Sequence, residues 1–284
     1  MSKFTWSPTP MVRAAPDYDA YQGAFHEAFR AELYGILDTL PIPSGGHVLD
    51  VPCGDGFYSR RLVERLGPGE RLTAVDVSEG SLGRTRKAVA GTRPHVVVQN
   101  ADAYNLPFED AALDLVWCAQ SLISLDPLRA LREMFRVVKR DGVVAILEVD
   151  EFHHVLLPWP GELEAALPSA VHAASVQKYG DGVKLAPTRK LRGIFGRAGF
   201  QAVHRVTYSF DRAAPFDRPT TTFLTRHLEH LRSFAYPFLP SGLQAVFDRT
   251  TDPDADNSLY HLPDAELICI NAVYHARPSN DSGE

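Results

Sequence analysis

Cysteine is scarce in this 284-residue chain: Cys53, Cys118 and Cys269 are the three present. Their odd number and wide separation exclude a disulfide framework and a CxxC metal site, and suit buried thiols in a reducing compartment. No apolar run approaches the ~20 residues a helix needs to cross a bilayer, so no membrane partner is expected. The first residues, MSKFTWSPTPMVRAAPDY, place proline where an export signal carries a continuous apolar segment, and a cytoplasmic location is expected. Lysine and arginine form no run, and the net charge of −6 argues against a nucleic-acid partner. Internal repeats and low-complexity tracts are absent. What is there is ordinary for a soluble globular protein: 45% hydrophobic and 23% charged residues, in a length that predicts one large domain with insertions.

Tyr18, Tyr21, Phe25, Phe29, Leu33 and Ile36 recur at helical spacing, which predicts one amphipathic helix over about 17–38. From residue 47 strands and helices alternate: HVLDV, a helix from Tyr58, RLTAVDV, a helix after Ser78, HVVVQN, and LDLVWCA. A helix opened by Asp126 as its cap and Pro127 in its first turn comes next, then a KRDG turn and the strand VVAILEV. Apolar strands joined by helices predict a parallel sheet covered on both faces, with ligands outside the carboxyl ends of the strands. Residues 151–186 break the rhythm and read as an insertion with a helix over 161–176. Regularity returns with a helix begun by Thr188 and stopped at Gly199, then the strand QAVHRVTYSF. An aromatic-rich insertion over about 213–262, read as a lid, precedes the closing strand AELICINAVYHA.

The stretch HVLDVPCGDGFYSRRL, residues 47–62, runs from strand through a glycine turn into a helix. Such a turn brings bare backbone close to a ligand, and dinucleotide-binding folds seat a pyrophosphate on it. That pattern needs three glycines, where this stretch has Pro52, Gly54, Gly56 and Ser59; a phosphate-binding loop needs a Gly-Lys-Ser/Thr ending, which is absent.

Four segments in order give a better reading. VLDVPCGDG closely resembles the first motif of class I S-adenosylmethionine-dependent methyltransferases, and TAVDVS resembles their second. NADAYNLPFEDAALDLVWCAQSL is similar to their third-strand exit and fourth strand. DPLRALREMFRVVKRDGVVAILE resembles the helix, turn and fifth strand of the group acting in ubiquinone and menaquinone biosynthesis. The resemblance is strong over 47 to about 150 and loose over 187–212. It implies a Rossmann-like, seven-stranded, mostly parallel sheet with helices on both faces and helical lid insertions. Residues 1–46 would be a helical cover, 47–150 the cofactor core, 151–186 an insertion, and 187–284 the rest of the sheet with the lid at about 213–262. The implied cofactor is S-adenosylmethionine. Asp76, followed by Val77, stands where the family accepts both ribose hydroxyls, and Asp102, followed by Ala103, where it meets the adenine amino group.

The chemistry of that cofactor agrees. A ribose diol calls for a carboxylate with two acceptor oxygens, an amino group for another acceptor, and an ammonium for an acid or backbone carbonyls. Asp50 and Gly54, with the backbone from Cys118 to Gln120, suit the methionine half. Taken alone, Asp76 or Asp102 also reads, less strongly, as a cap on the next loop. Pro52 stands where the family usually has glycine. It has φ near −65° and no N–H, so close approach passes to Gly54 and Gly56. Tyr21 is the residue of the first helix chosen to close over the cofactor.

Methyl transfer asks mainly for positioning and desolvation, and sometimes for proton removal. AQSLIS after the fourth strand lacks the Asn/Asp-Pro-Pro-Tyr/Phe signature of amide and adenine methylation, and Cys118 to Leu125 offers no acids for a catechol-type divalent ion. LEVDEFHHVLLPWPGEL places Glu148, Asp150, Glu151, His153 and His154 at the sheet's carboxyl edge. His153 or His154 reads as a general base or a substrate hydrogen-bond partner, or equally as the polar start of a surface insertion; no metal site is expected. Phe152, Trp159, Phe223, Phe234, Tyr236, Phe238 and Tyr260 read either as an acceptor pocket or as plain insertion core. The expected activity is methyl transfer to an O, C or N atom of a small, mostly apolar or aromatic molecule. A protein or RNA methyltransferase and a non-catalytic S-adenosylmethionine-binding protein are the alternatives, and the oligomeric state is open.

Overall fold

A computed structural model describes residues 16–92, 95–150, 154–180 and 187–278. In chain order the elements are α1 (Pro16–Ala28), α2 (Arg30–Asp38), β1 (His47–Asp50), α3 (Phe57–Arg65), β2 (Arg71–Asp76), α4 (Glu79–Ala88), β3 (Val96–Asn100) and β4 (Leu113–Ala119). There follow α5 (Pro127–Val137), β5 (Val138–Glu148), β6 (Val155–Leu156), α6 (Gly161–Tyr179), α7 (Leu191–Ala198), β7 (Phe200–Ala213), α8 (Arg218–Phe234), α9 (Ser241–Thr250) and β8 (Glu266–Pro278). They fall into two compact units. The first holds residues 30–158, 175–213 and 266–278, and the second 16–29, 159–174 and 214–265.

The first unit is built on one sheet in the order β3-β2-β1-β4-β5-β8, with β6 and β7 also pairing with β8. Strands β1 to β5 run parallel to one another, and β8 runs antiparallel to β5, β6 and β7. The apolar runs read from the sequence are the interior of this sheet: Leu49, Val75, Val116 and Ile146 are all inaccessible to solvent. On one face α5 and α7 cover it through Ala130, Leu131, Met134, Leu191 and Phe195. Each such Leu or Phe contributes about 1.5–3 kcal/mol by leaving water. The Asp126 carboxylate caps α5 by accepting from Leu128 N and Arg129 N at 3.0 and 3.1 Å, and Ser78 caps α4 through Ser81 N. Because β1 and β4 are neighbours while the chain between them runs out to β3 and back, the strand order reverses there, and a crevice forms outside the strands' carboxyl ends.

The sheet has eight strands among the described residues where seven were expected; the addition is the two-residue β6. KRDG is part of β5 and not a turn before it. Leu113 pairs with Val138 and Leu115 with Val143, so β5 carries a bulge there. Lys139 spans it by donating to both carboxylate oxygens of Asp114 at 2.8 and 2.9 Å. Helix α7 begins at Leu191, three residues past the expected Thr188, which lies in a preceding 3-10 turn and accepts the Tyr274 hydroxyl on its carbonyl at 2.7 Å.

The second unit is helical. Helix α1 packs on α8, with Phe25, Phe29 and Phe223 ring centroids 5.2–5.6 Å apart. Leu163, Leu167, Leu231, Leu239 and Phe247 form another core, on which Trp159, Tyr236 and Phe238 pack. These aromatic residues of the insertions therefore serve the unit's own packing. The single helix expected over 17–38 is two, broken at Phe29, where the chain passes from one unit to the other. The segments read as an N-terminal cover, an insertion and a lid thus contribute to one helical unit.

Candidate functional site

The turn after β1 is built by backbone geometry. Val51–Pro52 is a cis peptide, and Gly54 and Gly56 adopt φ of +55° and +86°, values that glycine takes without steric cost. Cys53 N donates to Val75 O at 2.8 Å, tying the turn to β2. The two glycines differ in what they face. A Cβ on Gly54 would meet nothing within 4 Å, whereas one on Gly56 would stand 2.7 Å from Thr85 Cα and 3.0 Å from Ala88 Cβ. Gly54 leaves an open approach to backbone; Gly56 allows α3 and α4 to pack closely.

Asp76, at the carboxyl end of β2, sits beside that turn and is 8% exposed. One carboxylate oxygen accepts from Gly54 N at 3.1 Å and the other from Ser78 N at 2.8 Å. Each oxygen retains acceptor capacity, which is what a pair of ribose hydroxyls requires. Val77 is exposed, and its carbonyl accepts from Asn100 Nδ2 at 3.0 Å. Asp102 is exposed beyond β3; one of its carboxylate oxygens accepts from Tyr104 N at 2.9 Å, and Ala103 beside it is buried.

Asp50 ends β1 in full burial and accepts the Ser59 hydroxyl at 2.5 Å. Burial raises its pKa to about 7; the Ser59 hydrogen bond opposes the rise, and the Asp76 and Asp55 carboxylates add to it. Cys118 on β4 is buried, and its thiol is pushed well above the usual range. Gln120 takes φ of +50°, strained for a residue with a side chain; its N–H donates to Leu147 O and its Oε1 accepts the Tyr58 hydroxyl at 3.1 Å. Glu148, at the end of β5, accepts from Ser121 N and Leu122 N at 2.8 and 2.6 Å, fixing the loop after β4.

Asp50, Pro52, Gly54, Gly56, Asp76, Val77, Asp102, Ala103, Cys118 and Gln120 therefore all belong to the carboxyl edge of the first unit's sheet or its adjoining loops. Tyr21 belongs to the helical unit, where its ring stacks on His230 at 5.4 Å and lies 5.6 Å from Phe223. Glu151, Phe152 and His153 lie outside the described residues. Asp150 pairs with Arg189, and His154 is buried at the start of β6, its pKa lowered by burial to about 4. Tyr58, Ser59 and Thr85 support the site without having been singled out; Thr85 Oγ1 donates to Gly54 O at 3.0 Å. Their only sequence signal is position on the helices flanking the turn. Among the described residues no group of three His, Cys, Asp or Glu side chains could hold a metal ion.

A glycine turn, an acid ending β2 and an acid beyond β3 meet on this strand order, and residues 48–142, about a third of the chain, match the family described as methyltransferase domain. Among curated proteins the chain is similar to demethylmenaquinone methyltransferases of the menaquinone-type group. It is 33% identical to that of Staphylococcus epidermidis over 117 residues, 41% of this chain and 48% of the relative, so it spans about half of that relative's length. It is 28% identical to that of Bacillus cereus over 207 residues, 66% of this chain and 83% of the relative. A solved structure from Thermotoga maritima, an S-adenosylmethionine-dependent methyltransferase described as a possible histamine N-methyltransferase, shares the fold. Its TM-score is 0.54 at 17% identity, over 93% of this chain and 95% of that one.

Proposed function

We propose that the protein transfers a methyl group from S-adenosylmethionine to an O, C or N atom of a small, mostly apolar or aromatic molecule in the cytoplasm. The observation that carries the reading is the pairing of Asp76 with the open backbone of Gly54. Bound there, S-adenosylmethionine supplies a methyl group on a sulfonium, and transfer to a nucleophile leaves the sulfur as a thioether. Asp76 takes the ribose hydroxyls, Asp102 the adenine amino group, and Asp50 with the carbonyls from Cys118 to Gln120 the ammonium. Curated relatives named demethylmenaquinone methyltransferase support a small-molecule acceptor.

Of the two histidines proposed as bases, His154 is neutral at pH 7 with a pKa of about 4, which makes it a weak base. Its role in this reading is hydrogen bonding, and the chain's main catalytic contribution is positioning and exclusion of water. A pH profile of turnover with an inflection near 6.5 that disappears in His154→Ala would return it to the role of base.

Calorimetry should detect S-adenosylmethionine and S-adenosylhomocysteine, with no heat from NAD. Labelled cofactor incubated with a pooled small-molecule extract should mark a small product seen by mass spectrometry. Label confined to protein or RNA would replace this reading with a macromolecular methyltransferase. Binding with no labelled product would replace it with a cofactor-binding protein.

A further inference from the structure

Asn271, on β8, is wholly buried, and neither its Oδ1 nor its Nδ2 has a hydrogen-bond partner. A buried primary amide offers two donors and an acceptor with two lone pairs, and leaving them unmet costs more than an apolar side chain of the same size would. Its companions on that face of the strand, Leu267, Cys269 and Val273, are apolar and equally buried.

Register places this amide. Trp117 pairs with Ala145 and Ala119 with Leu147 across β4 and β5, and Leu147 pairs with Val273 across β5 and β8. With the two-residue alternation of a strand, Asn271 shares a face with Val273, Leu147 and Ala119. Ala272 pairs with Glu148, the last residue of β5, so Asn271 stands one residue beyond the end of that strand. That is the carboxyl edge where ligands of such sheets bind.

We propose that Asn271 is a specificity-determining residue that recognises a hydroxyl on an otherwise apolar methyl acceptor. Nδ2 donates to the hydroxyl oxygen, and Oδ1 accepts its hydrogen. The surrounding Cys269 and Val273 accept an apolar skeleton and give no other polar group a partner. This rests on the methyltransferase reading above and goes beyond it by naming the acceptor's recognised group.

The test uses the full chain saturated with S-adenosylhomocysteine and two probes of one shape, 2-naphthol and naphthalene, titrated by calorimetry. The wild-type protein should bind 2-naphthol at least tenfold more tightly than naphthalene, and Asn271→Leu should abolish the difference while leaving S-adenosylhomocysteine affinity unchanged. Without ligand, Asn271→Leu should melt no lower than wild type, because it removes polar groups that have no partner. Equal affinities for the two probes in the wild type, including no binding of either, overturn the inference even if the variant fails to fold. So does a difference that survives the substitution, or a melting temperature lowered by several degrees. Failure of S-adenosylhomocysteine itself to bind overturns the methyltransferase reading and this inference with it.

Discussion

Gly54 and Gly56 stand two residues apart in one turn, both with positive φ, yet replacing each by alanine should fail in different ways. An alanine at Gly56 must hold φ near +86°, a left-handed conformation that costs about 1–2 kcal/mol for a residue with a side chain. Its Cβ would also lie 2.7 Å from Thr85 Cα and 3.0 Å from Ala88 Cβ, both on α4, so the helices must separate. Overpacking of that kind costs typically about 1–3 kcal/mol. The sum is about 2–5 kcal/mol, which for a chain of this size lowers the thermal midpoint by about 4–10 °C. Gly54→Ala incurs only the conformational part, about 1–2 kcal/mol and about 2–4 °C, because nothing lies within 4 Å of its Cβ. The order reverses for the ligand: a methyl group on Gly54 stands in the open approach beside Asp76, so S-adenosylhomocysteine affinity should fall more in Gly54→Ala. Gly45→Ala is the control, since Gly45 has φ of +73° and open surroundings but lies ahead of β1; it should match Gly54→Ala in stability and leave ligand binding alone. Thermal unfolding followed by circular dichroism and calorimetric titration read the two properties. Equal destabilisation at 54 and 56, or a Gly56→Ala protein melting within a degree of wild type, would refute the reasoning.

Asp76→Ala should weaken S-adenosylhomocysteine binding by about 1.5–3 kcal/mol, the usual worth of hydrogen bonds to a charged group, and calorimetry measures it directly. The same change releases Gly54 N and Ser78 N, so the free protein should also melt a few degrees lower; unchanged affinity would remove Asp76 from the ribose role. Asp50 predicts a pH dependence. Its folded pKa of about 7 lies above the ordinary 3.8, so the fold favours the protonated carboxyl. That stabilisation is fully present below about pH 4 and is lost as pH rises through 7. Urea unfolding at pH 5 and pH 8 should show wild type losing about 3 kcal/mol relative to Asp50→Asn, and a pH-independent difference between them would count against the buried, protonated state.

The sheet was legible because its residues had little choice. LDLVWCA is β4 without a residue's error, and Asp126 with Pro127 marks the start of α5 because a cap and a first-turn proline are local signals. The glycine turn after β1 was legible for the same reason, since glycines and a strand-ending acid are chemically sparse and adjacent. Signals failed where a partner distant in sequence decides the outcome. The break at Phe29 has no glycine or proline, and apolar spacing continues across it from Phe25 to Leu33. KRDG looks like a turn, but Asp114 across the sheet holds Lys139 and keeps the segment in β5. Asn271 lies in an apolar strand pattern that says nothing of an unmet amide. His154 drew notice as polar, while its burial depends on the pairing of β6 with β8.

The way the two units share the chain has a consequence for synthesis. The helical unit takes its residues from three stretches, 16–29, 159–174 and 214–265, and the ring cluster that joins α1 to α8 pairs Phe25 with Phe223. During translation α1 precedes the other elements and must wait until α8, Arg218–Phe234, has been made before its packing surface exists. Strands β1 to β5 all lie within residues 47–148, so the parallel half of the sheet can assemble while the ribosome is still working on the rest. The glycine turn and Asp76 would then be in place on a nascent chain whose helical unit is unfinished, and long-range closure of that unit becomes the slow, late event of folding. Ribosome-bound chains stalled after residue 200, with β5 clear of the exit tunnel and α8 not yet made, should accordingly protect β1 to β5 from proteolysis while leaving α1 open to it.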